Sequence, residues 1–399
     1  MEIPLPTRPC RVEISTRALR ENFRFLQSLA APHAELLAIV KANAYGHSLA
    51  LCAPAVAAAG ARWLGVTSVE EGIAARALAP QAGILVIAGV FPGQAAAALA
   101  HRLTPVAWEA WQLNELAAAA RAANAAPSSL AIHLEIDTGM SRQGVDPQAL
   151  APLLTHFAPG SPLRLEAVMT HLFAADESDA RITHAQLALL DQALTRISSA
   201  GLFAEWLNVG NSAALLAGCA PALADLAARH GMKAMLRPGL ALYGLVPEFD
   251  PDFAPAEPES LSRARTALRP VLKWKSEVVT VRSVPAGTSV GYNGTFVATE
   301  PMRLALIAAG YGDGLDRSLG NRFSLLVRGA RAPLVGRISM DQAVLDVTEI
   351  PDVQPGDEVV LIGEQGSETL TAFDHARAAS TIPWEVFTRI AARVPRTAV

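Results

Sequence analysis

Leu36-Leu37-Ala38-Ile39-Val40 runs straight into Lys41-Ala42-Asn43-Ala44-Tyr45-Gly46-His47. Five apolar residues without a polar break suit a strand covered on both faces, as in a parallel sheet wrapped by helices. The polar residues arrive together, directly behind the run. Seven more runs repeat the plan: Trp63–Thr67, Ile84–Ile87, Leu103–Val106, Leu130–Ile136, Leu165–Met169, Trp206–Val209 and Met235–Leu236. Their starts lie about 20–40 residues apart, which leaves room for one crossover helix each time. Alanine-rich stretches such as Ala95–Ala98 and Ala117–Ala120 fill the gaps. Eight such units match a (β/α)8 barrel over residues 1–245. A doubly wound open sheet would give similar runs, and the count alone leaves it open.

The rhythm breaks at residues 246–270, where Pro247-Glu-Phe-Asp-Pro-Asp-Phe-Ala-Pro-Ala-Glu-Pro-Glu-Ser260 reads as a linker or long surface loop. Beyond it the strand-like segments Val271–Val284, Met302–Ala309, Phe323–Val327, Pro333–Arg337, Ala343–Val347 and Glu358–Ile362 are too closely spaced for crossover helices. Residues 246–399 are therefore expected to form a mostly antiparallel β domain, with a last helix from about Trp384 to Arg393. The predicted fold is α/β: a TIM-type (β/α)8 barrel followed by that β domain.

At 399 residues the chain is long enough for two domains. Lys and Arg number 33 against 37 Asp and Glu, a net charge of −4. No broad basic face is available, which argues against nucleic acid as a partner. The three cysteines, Cys10, Cys52 and Cys219, form no Cys-x-x-Cys pair, so neither a zinc site nor a disulfide framework is expected. The start, Met-Glu-Ile-Pro-Leu-Pro, lacks the apolar core of a signal peptide. Mean hydropathy is +0.27, yet no apolar stretch approaches the ~20 residues that span a bilayer. A cytoplasmic protein without a membrane anchor is the expectation.

In a barrel of this type the chemistry gathers behind the strands' C-terminal ends. There the sequence puts Lys41, then Asp137-Thr-Gly-Met-Ser-Arg142, Thr170-His171, Asn208 with Gly210-Asn211-Ser212, and Arg237-Pro-Gly239. Most lysines are snorkelling surface groups. One behind a doubly covered strand is partly desolvated, loses its proton more readily and can form a Schiff base. The Gly210-Asn211-Ser212 and Arg237-Pro238-Gly239 turns offer free N–H groups and a hydroxyl behind strands seven and eight, the usual phosphate site of this fold. Plain N-capping by Asn211 or Ser212 explains the same residues. A lysine and a phosphate cradle in one mouth suggest pyridoxal 5′-phosphate.

The motifs go further than the pattern. Val40–His47 resembles the coenzyme-lysine signature of the alanine racemase family. The resemblance continues through Asp137–Met140, Met169-Thr-His171, Asn211-Ser-Ala, Arg237–Gly244, Val290-Gly-Tyr292, Gly310–Gly314 and Gly336–Asp341, in order, from about residue 8 to 395. It implies a pyridoxal-phosphate-dependent isomerase that interconverts L- and D-alanine and supplies D-alanine for cell-wall peptidoglycan. It also implies a head-to-tail homodimer with shared active sites and no metal.

The resemblance assigns roles as well. Lys41 carries the Schiff base and serves as the base for the D enantiomer; Tyr292, from the other subunit, is the base for the L enantiomer. Two bases are expected because racemisation removes a proton on one face and returns it on the other. A free tyrosine has a pKa of about 10, so Tyr292 depends on the network around the coenzyme. Arg237 matches the partner of the pyridine nitrogen, which a donor-only guanidinium leaves unprotonated, limiting side reactions such as transamination. His171 buttresses it. Arg142 contacts the phenolic oxygen and the substrate carboxylate, Met340 gives a backbone contact to the substrate, and Tyr311 belongs to the substrate entrance with Asp176, Arg317 and Arg337. Tyr45, Asn211, Ser212, Gly239, Leu240 and Trp384 surround the coenzyme, chiefly its phosphate.

Two positions depart from the family. Glu135 stands where many relatives carry a carbamylated lysine, so no carbamylation and no bicarbonate dependence are expected. Trp384 replaces a tyrosine at the entrance, which bears on substrate size. Three other readings remain: a racemase of broader or shifted specificity that takes serine, a decarboxylase on the same barrel, and a non-catalytic pyridoxal-phosphate-binding protein. Decarboxylase relatives need a cysteine motif in the β half, and no cysteine follows Cys219. The carrier group lacks a β domain.

Overall fold

The computed structural model describes residues 8–252 and 257–399. They divide into two compact units. One holds residues 17–44 and 49–270; the other gathers 8–16, 45–48 and 271–399. The barrel therefore does not begin at the N-terminus. Strand β1 (Arg11–Ile14) goes to the β unit, because its alternating burial fits an antiparallel sheet: Val12 and Ile14 point into the core.

In the first unit eight parallel strands close a barrel: β2 (Ala34–Ile39), β3 (Trp63–Val66), β4 (Gly83–Val86), β5 (Thr104–Ala107), β6 (Leu130–Glu135), β7 (Leu163–Met169), β8 (Trp206–Asn208) and β9 (Lys233–Leu236). Every one of the eight apolar runs became a strand. The circle shuts where β2 pairs with β3 at Leu37↔Trp63 and with β9 at Leu36↔Leu236. An open doubly wound sheet is excluded by that closure. Side chains along these strands, Leu36, Leu64, Ile84, Val106, Leu134, Val168 and Leu207 among them, are buried. The segment expected to be a linker contains helix Glu259–Ala267, packed through Leu261 and Ala264. Proline and acid upstream hid that short apolar stripe. Phe253–Ala256 of that segment lie outside the described residues.

The second unit is built on β10 (Leu272–Val284), which pairs with β1, β13 (Met302–Ile307) and β17 (Glu358–Gln365), all antiparallel. β11 (Ser289–Val290) and β12 (Phe296–Val297) make a hairpin. β14 (Ser324–Val327), β15 (Ala330–Pro333), β16 (Ala343–Asp346), β18 (Glu368–Leu370) and β19 (Arg396–Ala398) complete the sheets. Pro333–Arg337, read as a strand, joins only through Pro333 and an isolated bridge at Leu334. The last helix is Pro383–Arg389, shorter than expected because residues 390–393 turn away. Trp274 is fully buried beside Cys10, its indole N–H 3.3 Å from Sγ. No helix among the described residues is long and apolar enough to cross a membrane.

His375, on helix Ala372–Ala379, is buried with Nε2 2.7 Å from the Leu361 carbonyl, so that nitrogen carries the proton. Burial pushes its pKa down to about 4. Below an unfolded value of about 6.5 the unfolded chain takes up a proton that the folded one refuses, so stability falls as pH drops from about 6.5 towards 4. At about 1.4 kcal/mol per pKa unit the loss is on the order of 3 kcal/mol. A His375→Gln variant should show a shallower acid decline in Tm over that range; parallel slopes would place the loss on other groups.

Candidate active site

The barrel unit holds most of the residues that the sequence singled out. β2 ends at Ile39, and Lys41 opens a turn in which Ala42, Asn43, Ala44 and Tyr45 are all left-handed, with φ of 52°, 52°, 56° and 52°. L-residues pay roughly 1–2 kcal/mol each for that conformation. Specific bonds hold the turn. Glu71 accepts from Asn43 N–H at 3.1 Å and from Thr67 N–H at 3.0 Å, and Asn43 Oδ1 accepts from Leu49 N–H at 2.7 Å. Burial lowers the pKa of Lys41, and the Arg142 and Arg237 guanidiniums lower it further against the opposing pull of Glu71.

Arg237 is buried behind β9 and donates in every direction. Nη1 reaches the backbone oxygen and Oδ1 of Asn208, both at 2.6 Å. Nη2 reaches Thr170 O at 2.8 Å and His171 Nδ1 at 3.3 Å. An arginine cannot accept, so His171 Nδ1 is bare and the imidazole is neutral, with its proton on Nε2. Burial, then the charges of Arg237, Arg142 and Lys41, push the His171 pKa down to about 3. Burial also brings Arg237 down to about 10, which leaves it a cation at neutral pH. Gln186 locks the neighbourhood: its amide donates to Thr138 Oγ1 at 3.0 Å and to His171 O at 2.9 Å and accepts from Phe173 N–H.

Ser212 Oγ accepts from the N–H groups of Gly239 and Ala241 at 2.9 and 3.2 Å, which joins the turns behind β8 and β9. Its own hydroxyl proton stays available as a donor. Asn211 caps the short helix Ser212–Leu216 through Ala214 N–H and donates to Leu172 O at 3.0 Å, so the capping explanation holds for it. Leu240 is buried at the start of a 3-10 turn. Glu135 lines one narrow cleft with Arg142, Gln143, Thr170 and His171. Its carboxylate accepts from Gln143 rather than bonding Arg142. Burial raises its pKa against the pull of Gln143, Arg237 and Arg142.

The β unit carries a second set. Tyr292 sits in the β11–β12 hairpin loop and is 67% exposed. Met340 and Tyr311 are 53% and 42% exposed. They share one surface. Tyr311 N–H and Gly312 N–H bond Ser339 O and Met340 O, and Gly291 packs on Arg337. Beneath them buried Asp313 pairs with Arg8 and Arg393 at 2.8 Å each, and Arg393 extends to Asp341 at 2.7 Å. Tyr45 is buried in the same unit, its pKa pushed up to about 12 by burial. Gly46, at φ +78°, lies so close to helix Pro383–Arg389 that a Cβ would meet Phe387 O at 2.2 Å. Tyr45 and half-buried Trp384 thus belong to adjoining segments.

Sequence reasoning missed Glu71, Gln186 and His133. Each acts on another side chain or on backbone and lies within a helix or strand, where motif reading does not look. Asn208 was placed at a strand end, but only its two bonds to Arg237 reveal its part.

Three cations facing one mouth, with the hydroxyl of Ser212 at its side, suit a small anionic group. The family profile described as alanine racemase, N-terminal domain, matches residues 14–247, and that of the C-terminal domain matches residues 271–398. The alanine racemase of Syntrophobacter fumaroxidans is 37% identical over 380 residues, 95% of this chain and 94% of that one. The crystal structure of alanine racemase from D-cycloserine-producing Streptomyces lavendulae is 35% identical, with a TM-score of 0.85 over 99% of this chain and 97% of that one. The structure from Bartonella henselae, which has covalently bound pyridoxal phosphate, is 27% identical, with a TM-score of 0.83 over 99% of this chain and 100% of that one. The chain belongs to the alanine racemase family.

Proposed function

We propose that this protein is a pyridoxal-phosphate-dependent alanine racemase that interconverts L- and D-alanine with two bases, Lys41 and Tyr292. The observation that carries the reading is the constellation behind β2, β7, β8 and β9: an amine with a lowered pKa facing a buried guanidinium held by acceptors only. Lys41 would bind the coenzyme covalently. Arg237, buttressed by His171, would face its ring nitrogen, and Arg142 its phenolic oxygen and the substrate carboxylate. Ser212, Asn211, Gly239, Leu240, Tyr45 and Trp384 would surround its phosphate. When bound, the coenzyme supplies the electron withdrawal that makes the substrate's Cα–H acidic.

The chain's own groups then move one proton. Desolvation keeps Lys41 Nζ ready to take or return it at Cα on one face. Tyr292 Oη would serve the opposite face. Arg237, a donor only, holds its position without exchanging a proton. The exposed, firmly braced surface of Tyr292, Tyr311 and Met340 supports a head-to-tail homodimer in which each copy lends Tyr292 and the Met340 backbone to the other. D-alanine supply for peptidoglycan and a cytoplasmic location accompany this reading.

Purified holoenzyme should convert L-alanine to the D enantiomer. Tyr292→Phe should keep the bound coenzyme but lose at least ~100-fold in kcat, the scale of a lost general base. Retained racemisation in that variant would overturn the two-base assignment. Bound coenzyme with no racemisation by the wild type would point to a carrier.

Trp384 offers one N–H donor where a tyrosine hydroxyl both donates and accepts, and it is bulkier. Trp384→Tyr is expected to shift the alanine-to-serine ratio of kcat/KM by roughly 10-fold, since a small group in a pocket is worth ~1–3 kcal/mol. Equal ratios in both proteins would remove Trp384 from substrate selection.

A further inference from the structure

A line of buried polar side chains leads away from Arg237 into the barrel. Arg237 can only donate, so Asn208 must present Oδ1 to it, at 2.6 Å. The orientation of that amide follows from chemistry, since O and N look alike. Asn208 Nδ2 is then turned to His133 Nδ1, 3.1 Å away. Two donors cannot share that contact, so Nδ1 is bare and the His133 proton sits on Nε2. That nitrogen lies 3.4 Å from Glu166 Oε2, an ion-pair distance rather than a closed hydrogen bond, and neither atom has a hydrogen-bond partner among the described residues. Glu166 Oε1 accepts from Arg164 at 2.8 Å. His133 is fully buried, and its ring lies 5.8 Å from that of Trp63 on β3, three strands away around the barrel, so it points inward. Against burial, which raises it, His133 and Arg164 hold the Glu166 carboxyl below its ordinary range. The polar line therefore starts at a carboxylate on β7 and ends at the guanidinium in the mouth, with one orientation allowed at each link.

We propose that His133 and Glu166 are positioning residues for Arg237, which fix the Asn208 amide so that its oxygen faces the guanidinium. The proposal rests on the reading of Arg237 as the partner of the coenzyme ring nitrogen. Without an acceptor at His133 Nδ1, the buried Asn208 Nδ2 is left unpaired and the amide loses the anchor that holds its plane. Oδ1 is then free to swing off the guanidinium, and Arg237 would tilt away from its acceptors. A histidine in an apolar interior could instead fill space and nothing more. The donor–acceptor order separates the two, because a space-filling ring has no required tautomer.

The test compares His133→Leu and His133→Asn in the full chain. The asparagine amide oxygen can stand where Nδ1 stood; leucine offers nothing to accept with. His133→Leu is expected to bind pyridoxal phosphate about tenfold more weakly on reconstitution, to shift the absorption maximum of the bound coenzyme, and to lose about 10–100-fold in kcat/KM for alanine, the usual range when an orienting partner is removed. His133→Asn should restore the absorption maximum and the affinity even where both variants share a lowered Tm. A folded His133→Leu with wild-type spectrum and coenzyme affinity would overturn the proposal. Should His133→Leu not fold, nitrogen NMR of the wild-type histidines decides: Nε2 protonated and Nδ1 bare is required, and the opposite tautomer overturns the proposal. A wild type that holds coenzyme but does not racemise alanine would sink the functional reading instead, and the tautomer would still be read independently.

Discussion

A buried guanidinium has to find an acceptor for its N–H groups, and Arg237 finds them at the ends of three neighbouring strands. It sits behind β9, takes both oxygens of Asn208 at the end of β8, and takes Thr170 O and His171 Nδ1 behind β7. Leaving such a charge unpaired would cost several kcal/mol, whereas hydrogen bonds to a charged group contribute about 1.5–3 kcal/mol each. The mouth is therefore arranged around what Arg237 needs. His171 is neutral because a bare nitrogen is needed there. Gln186 satisfies His171 O and Phe173 N–H beside it, and Thr170 Oγ1 donates to Ile136 O. The consequence for chemistry is a cation that cannot leave its place and cannot give up its proton.

Lys41 answers to a different constraint. Its position follows from β2, but its direction follows from the left-handed turn behind it. Non-glycine residues in that conformation cost of order 1–3 kcal/mol each and persist where the surroundings over-determine them. Glu71 and Asn43 supply that over-determination from a helix and a side chain of the same unit. Gly46 then takes φ +78° at a spot with no room for a side chain. The strain lies where the amine emerges. A relaxed helical turn after Val40 would carry the chain elsewhere.

The barrel was legible because a strand covered on both faces is largely apolar, and eight largely apolar runs at helix-sized intervals leave few alternatives. Closure was not legible, since it is a relation between β2 and β9 rather than a property of either. The β unit was read less well. β15, β18 and β19 are three or four residues long and carry charged or polar side chains such as Arg331, Glu368 and Arg396, so apolar content does not mark them. β1 stands far from its partner β10 in sequence and was grouped with the wrong neighbour for that reason. In the site, the rim residues Lys41, His171 and Arg237 were visible as polar groups behind apolar runs. His133 was not: it lies inside a run, where a polar residue amid leucine and isoleucine reads as noise until Asn208 and Glu166 are seen on either side of it.

The same accounting of donors and acceptors shows why the barrel unit does not complete the proposed chemistry alone. Among the groups at its rim, Arg142 and Arg237 only donate. His171 has its one bare nitrogen committed to Arg237 and resists protonation down to about pH 3. Glu135 is tied to Gln143 inside the cleft. Asp137 is turned back on its own loop, accepting from Gly139 and Ser141 N–H. That leaves Lys41, whose pKa burial and the neighbouring guanidiniums lower, as the one of these rim groups suited to exchange a proton. A reaction that handles the two faces of one carbon needs another, and it has to come from outside this unit. The β unit offers a tyrosine on a short hairpin loop, exposed yet braced by backbone against the segment from Gly336 to Met340, which Asp313, Arg8 and Arg393 pin from below. Exposure of that much aromatic and methionine surface on so rigid a base makes physical sense when something else covers it, and under the proposed function a second copy of the chain, lacking the same base in its own barrel, would be the partner with the matching need.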